Sequence, residues 1–306
     1  MHPSRVLIGV RLIIAALAIL GAVITVITVS PNETAHPSDV PTNGTEVVYP
    51  GLMVYAIDVG QGDCFLLVSP NGKTMLVDSG EAREAEGVME FLDVHGVDHL
   101  DLVVATHPHT DHIGGLSRII SEFETGALML PEVEYDIKSY NELLETADKR
   151  HVECIYVWSG DKITWDESCS IDILSPVEGA EYSKTDMNQW SIIMRVSFLG
   201  TSMLFTGDAE AHAEQTAMFY NYREMFDADV LKVAHHGSAY SSSIGFLETV
   251  NPSIAIISAG VGNSYGHPDF DTLNKLKLMG VTVYRTDLLG NIAILLDGEN
   301  VIINEG

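Results

Sequence analysis

The 306-residue chain is poor in cysteine and in positive charge, and both shortages narrow what it can be. Its three cysteines, Cys64, Cys154 and Cys169, form no C-x-x-C pair and cannot all pair within one chain, which argues against a disulfide framework. Cys64 falls where a strand should run and reads as a small buried apolar residue. Lysine and arginine number 16 against 43 acidic residues, a net charge of −27. Residues 1–50 contribute only Glu33, Asp39, Glu46, Arg5 and Arg11, so the excess belongs to the remainder. Such a surface repels nucleic acid at long range and offers no broad basic track, while remaining hospitable to divalent cations. Disorder is excluded by 46% apolar residues with 8% aromatics. No internal repeat is visible.

Long apolar runs are confined to one place. Leu12–Val29 is uncharged for 18 residues and follows Arg5 and Arg11. It reads as a transmembrane helix, with a signal peptide as the competitor, over residues 1–29. The preceding basic residues keep the N-terminus cytoplasmic and export the rest of the chain. The expected location is therefore membrane-anchored through 12–29 with the domain outside, or secreted if the segment is cleaved. Residues 30–50, rich in Pro, Asn, Thr and Ser, read as a flexible linker.

From Gly51 to Gly306 short apolar strands alternate with helical patterns. LMVYAIDV, CFLLVS and TMLVDSG predict strands joined by the turns GQGD and SPNGK. Helix is expected over 81–95, 114–123, 136–150, 209–222 and 269–280. Strands are expected at LDLVVATH, ALML, VECIYVW, SIDILSP, ADVLKVAHH, SIAIISAG, VTVYRT and NIAILLDG. SIIMRVSFLGTSMLFTGD predicts a hairpin turned at Leu199–Thr201. Two strand-rich halves carrying helices imply an α/β class, layered as a sandwich in one domain.

Polar residues interrupt this architecture at strand ends. LVDSG ends on Asp78, VVATHPHTDH on His107, His109, Asp111 and His112, LFTGD on Asp208, and LKVAHH on His235 and His236. His267 sits in the glycine loop SYGHPD. Singly, Asp78 is a common turn residue, Asp208 a helix N-cap, and His235 and His236 buried, satisfied histidines. Together they are donors gathered from distant sequence at one sheet edge. Imidazole with carboxylate suits Zn²⁺, Mn²⁺ or Fe²⁺, and His-x-His followed by Asp-His suits two ions bridged by one further carboxylate.

THPHTDHIGG resembles the H-x-H-x-D-H signature of the metallo-β-lactamase superfamily. DVGQGDCFLL, LVDSGE, TGDAE, LKVAHHGS and NSYGHP resemble, in the same order, the hydrolase domain of ComEC-type DNA-uptake proteins over about 51–306. The resemblance implies a four-layered αβ/βα sandwich with two divalent metal ions, zinc first and manganese or iron as further candidates. His107 and His109 would bind one ion, Asp111 and His112 the other, Asp208 would bridge, and His235 would complete the second site with His236 as its rival. Asp78 would order the ligands by hydrogen bonds. Asn188 stands where many relatives place another histidine, so the first ion would take its remaining ligand from water, substrate or His267.

The implied activity is extracytoplasmic phosphodiester hydrolysis by a metal-bridging hydroxide. Asp111 belongs to the catalytic set at the ions themselves, and His236 or His267 would protonate the leaving oxygen. The amides of Gly237–Ser238 would stabilise developing charge, and Lys232 and Arg285 are candidate substrate cations. Single-stranded DNA is the substrate the resemblance favours. The acidity fits a small phosphodiester or a phosphorylcholine-type group on an envelope polymer better, and a non-catalytic tethered module is the alternative of another class. A channel protein as partner is left unnamed.

Overall fold

The computed structural model describes residues 50–305. The apolar run at 12–29 and the linker lie outside them. Among the described residues no helix is long and apolar enough to cross a membrane.

Two mixed sheets carry the chain. The first contains β1 (Leu52–Ala56), β2 (Phe65–Val68), β3 (Thr74–Val77), β4 (His99–Val104), β5 (Glu124–Pro131) and β6 (Glu153–Val157). The second contains β7 (Lys162–Asp166), β8 (Cys169–Ser175), β9 (Ile193–Phe198), β10 (Thr201–Phe205), β11 (Val230–Lys232), β12 (Ile254–Ile257) and β13 (Thr282–Arg285). Strands β14 (Ile292–Leu296) and β15 (Val301–Glu305) return to the first sheet, giving the orders β15-β14-β1-β2-β3-β4-β5-β6 and β13-β12-β11-β10-β9-β8-β7. In each sheet an antiparallel part passes into a parallel part, from β3 to β6 and from β10 to β13.

Alternation along the strands decides how the sheets stack. Leu52, Val54 and Ala56 of β1 pack with Ile171, Met194 and Phe205 of the opposite sheet in one buried core. Phe65 and Phe205 meet edge to face there, with centroids 5.4 Å apart. Truncating such a ring costs about 3–5 kcal/mol. The intervening residues face outward onto helices. Leu66, Leu76 and Val103 pack with α1 (Ala85–Val94), α3 (Leu116–Glu122) and α4 (Lys138–Arg150), the short α2 (Thr110–Ile113) leading into α3. Leu204, Leu231 and Ala255 pack with α5 (Ala211–Tyr220), α6 (Ile244–Val250) and α7 (Phe270–Leu278). Helices therefore cover the outer faces of the paired sheets.

Among the elements that stand beyond the sequence expectation are β7, α6 and β15. KITWD mixes charge with single apolar residues and pairs only as an irregular edge of β8. The strand VIINE is half polar because it lies at the sheet edge, and it returns from β14 through the turn Asp297–Asn300. The expected hairpin at Leu199–Thr201 is present, pairing Phe198 with Thr201.

The parallel strands position the site. The ends of β3 and β4 release Asp78 and the histidine cluster, and those of β10 and β11 release Asp208 and the His235–His236 pair. In α/β folds such carboxyl ends are where side chains from distant sequence meet.

Candidate metal centre

Asp78 leaves β3 with φ of 57°, a left-handed conformation costing on the order of 1–3 kcal/mol outside glycine. Its carboxylate explains why the turn holds. Oδ1 accepts from the Thr106 amide at 2.9 Å, and Oδ2 from the Thr106 hydroxyl at 2.7 Å and His112 Nδ1 at 2.8 Å. Asp78 thus ties β3 to the loop after β4 and takes the His112 Nδ1 proton, so that Nε2 is the nitrogen presented to the interior. Because the Thr106 hydroxyl proton is committed to Asp78, its oxygen accepts from His107 Nδ1 at 3.2 Å. The other nitrogen of His107, Nε2, faces His109 Nδ1 at 3.1 Å.

Asp208 is the centre of the arrangement. Its amide donates to Ser191 Oγ at 3.1 Å, which aims the carboxylate inward. Oδ1 lies 3.2 Å from His112 Nε2, and Oδ2 lies 3.4 Å from His236 Nε2, 3.8 Å from His235 Nε2 and 3.9 Å from His107 Nε2. His236 donates Nδ1–H to the Ser258 carbonyl at 3.0 Å and approaches Asp111 Oδ2 to 3.3 Å through Nε2.

Asp111, His112, Asp208 and His236 offer ligand atoms that all lie within 4.8 Å of one another. His235, preferred for this place on sequence grounds, stands outside the group, and its rival His236 stands inside it. Nε2 of His112, Nε2 of His236 and Oδ1 of Asp208 are buried without a hydrogen-bond partner. Buried polar atoms left unmatched in this way are costly, and a cation at their convergence satisfies all three. The donor set of imidazole and carboxylate therefore fits a divalent ion.

Charge behind the site is balanced by a second buried pair. The Lys232 ammonium is almost fully buried, donates to the Gly207 carbonyl at 2.8 Å, and pairs directly with Asp63. Asp63 lies 3.4 Å from His236 Nδ1 and 3.7 Å from His112 Nδ1. Burial pushes Asp208 upward, yet His112 and His236 overcome it and hold the carboxyl well below its usual range. Burial likewise opposes charging of both histidines, but Asp208, with Asp78 for His112 and Asp111 for His236, carries them well above an ordinary imidazole. His107 moves the other way, kept neutral by burial and by the neighbouring His112.

These directions set the proton balance of ion uptake. At pH 7 the free protein holds His112 and His236 protonated, and a metal binds only the neutral ring. Uptake is therefore expected to release protons at pH 7 and to weaken as pH falls. Calorimetry in buffers of different ionisation enthalpy measures the release, and a buffer-independent enthalpy would contradict this balance.

A cavity of about 290 Å³ opens onto the group, lined by Gln61, His109, Thr110, Asp111, Asn188, Asp208, His235, His236, Tyr265 and His267. His267 joins from its loop, 5.4 Å from the His235 ring and 6.4 Å from that of His236. No lysine or arginine is among these lining residues, and the two cations expected to meet substrate do not. Lys232 serves Asp63, and Arg285 is clamped by Asp287 at 2.6 and 2.9 Å. The Ser238 amide, expected to face developing charge, donates instead to the His235 carbonyl at 2.8 Å. Other histidines are used elsewhere, His95 stacking on Phe91 and His99 beside Asp98 and Asp101.

Asp63, Glu210 and the structural role of Lys232 escape a reading of the sequence. Each carried a signal. Asp63 is an acid at the last position before an apolar strand, and Lys232 is a lone charge inside VLKVA, a placement that demands a buried partner. Glu210 follows Asp208 by two residues and meets His235 Nδ1 at 3.1 Å.

Comparison with known proteins places these features. Residues 57–163 match the family described as the metallo-β-lactamase superfamily. The chain is 31% identical over 266 residues to ComE operon protein 3 of Bacillus subtilis, covering 80% of this chain and 34% of that protein. It is 30% identical over 234 residues to competence protein ComA of Neisseria gonorrhoeae, covering 76% and 30% respectively. The chain thus spans about a third of the length of these relatives. CmlA, a diiron β-hydroxylase from Streptomyces venezuelae, matches with a TM-score of 0.54 over 80% of this chain and 54% of that one. At 14% identity this is a likeness of fold alone.

Proposed function

The chain belongs to the metallo-β-lactamase superfamily, and from that premise we propose that it hydrolyses phosphodiesters with two divalent cations held between its sheets. His107, His109 and Asp208 serve one ion; Asp111, His112, His236 and again Asp208 serve the other. Zinc fits this donor set, and manganese and iron share it. Such a pair, when bound, polarises a phosphoryl oxygen and lowers the pKa of a coordinated water. The observation that carries the reading is the gathering of Asp111, His112, Asp208 and His236, with His112 Nε2, His236 Nε2 and Asp208 Oδ1 buried and unpartnered.

The chain's own residues do the remainder. Asp78 and the Ser258 carbonyl hold His112 and His236 with their Nε2 atoms inward. Asp111, part-exposed at the cavity, presents Oδ2 beside His236. With a cation at its Nε2, His236 would have both nitrogens engaged, so the leaving oxygen falls to His267. Burial and the nearby His235 and His236 keep that ring below an ordinary imidazole, so it offers the leaving oxygen a hydrogen bond from a neutral N–H, and the proton itself comes from solvent. Asn263 holds the loop by accepting from the His267 amide at 3.0 Å.

The resemblance to DNA-uptake hydrolase domains supports single-stranded DNA as substrate. A second reading rests on charge. At −27, and with Lys232 and Arg285 both engaged by carboxylates, a short or zwitterionic phosphodiester meets less repulsion than a long polyanion. An extracytoplasmic location, through an anchor at 12–29, suits either substrate.

A panel of bis-p-nitrophenyl phosphate, p-nitrophenyl phosphorylcholine, nitrocefin and labelled single-stranded DNA, with Zn²⁺ or Mn²⁺, tests the proposal. Phosphodiester cleavage that stops on chelation is expected. Turnover of nitrocefin alone would overturn it.

A further inference from the structure

The first cation position has too few ligands. His107 Nε2 and His109 Nδ1 stand 3.1 Å apart, and Asp208 Oδ2 lies 3.9 Å from the former. The first separation is near the edge of a tetrahedron with bonds of about 2 Å, but with Asp208 shared between the ions only two donors belong to this one alone, and a closed site needs four. Asn188, on a short helical turn beside the site, brings an amide rather than a ring.

His235 is placed to fill this position. Its Nε2 is 3.8 Å from Asp208 Oδ2, matching the 3.9 Å of His107 from the same oxygen. Its Nδ1 meets Glu210 Oε1 at 3.1 Å, which fixes Nδ1 as the protonated nitrogen and leaves the Nε2 lone pair facing inward. Asn188 braces the carboxylate, donating Nδ2 to Glu210 Oε1 at 3.4 Å and lying 3.4 Å from His235 Nδ1. A carboxylate behind a ring whose far nitrogen faces a cation site is the usual way to orient a metal-binding imidazole.

The backbone carries the same message. His235 and His236 both adopt left-handed conformations, φ of 51° and 53°, in succession. A residue other than glycine holds that conformation only where the surrounding structure enforces it. The result splays adjacent rings to an interplanar angle of 70° with centroids 6.1 Å apart. One ring reaches Asp111, and the other faces Asp208 Oδ2, the oxygen that His107 also faces. If only His236 bound an ion, half of this strain would serve nothing.

We propose that His235, oriented by Glu210, is the third imidazole of the first cation site, so that one His-His dipeptide ligates both ions. The proposal rests on the two-cation reading, and its test reads metal content and spectra, not turnover. Full-length metal-free protein and its His235→Ala, Glu210→Gln, His107→Ala and His267→Ala variants are titrated with Co²⁺, with circular dichroism confirming fold. The unsubstituted protein is expected to take up two ions. His235→Ala is expected to keep one and to show the Co²⁺ absorption of His107→Ala, and Glu210→Gln to weaken the first ion about 10- to 100-fold. Should His235→Ala fail to fold, Glu210→Gln carries the test. Two ions bound at unaltered affinity in either His235→Ala or Glu210→Gln would overturn the proposal, as would loss of the first ion in His267→Ala with His235→Ala unaffected. Two ions in a protein that cleaves no phosphodiester would sink the phosphodiesterase reading and leave this one standing. Fewer than two ions in the unsubstituted protein would sink both.

Discussion

Asp208→Ala is expected to abolish hydrolysis, with a loss of at least about 10³-fold, the scale of removing a group that stabilises charge in an active site. The carboxylate faces Nε2 of His112, His236, His235 and His107 at 3.2 to 3.9 Å, so it stands between both halves of the site. The variant should bind neither cation firmly. It should still fold, because the amide bond to Ser191 belongs to the backbone, and histidines deprived of the carboxylate can shed their protons. Turnover of bis-p-nitrophenyl phosphate, metal content and a thermal melt together check the result. A folded variant with intact metal content and rate would mean that the carboxylate only caps the turn before α5.

Lys232→Met is expected to act on stability instead. Removing one member of a buried ion pair strands the other, at about 3–5 kcal/mol. For a domain of this size that lowers the melting temperature by roughly 6–20 °C. Asp63 is the stranded group, because burial pushes its carboxyl upward and Lys232 is the largest influence drawing it below its usual range. Adding Asp63→Asn should return part of the loss, since the pair is then removed together. Lys73→Ala provides the contrast. Its partner Asp101 is 2.6 Å away, but the lysine is half exposed, and such surface pairs contribute no more than about 1 kcal/mol. Equal melting shifts for the two lysine variants would show that Lys232 is not the buried counter-ion described.

The outline of the site was legible because ligands interrupt apolar strands. Asp78, the run from His107 to His112, Asp208 and the His235–His236 pair each break a hydrophobic segment that could have ended on glycine or serine. The structure brings all of them to the facing ends of β3, β4, β10 and β11. The features that stayed hidden depend on dihedral angles and on partners far along the chain. Nothing in the letters HH tells which ring turns toward Asp111, because the two left-handed residues decide it. Nor does VLKVA announce that its lysine will be neutralised by Asp63, from a turn 169 positions earlier by the numbering. Strands β7 and β15 escaped because edge strands tolerate charge and lose the clean alternation that marks inner ones.

The central claim is that cleavage depends on two cations held by these residues. Its most direct test is stepwise addition of Zn²⁺ to metal-free protein while phosphodiester cleavage is followed. No cleavage is expected without metal, and the rate is expected to rise to its maximum at two equivalents per chain. Full activity in the metal-free protein would contradict it.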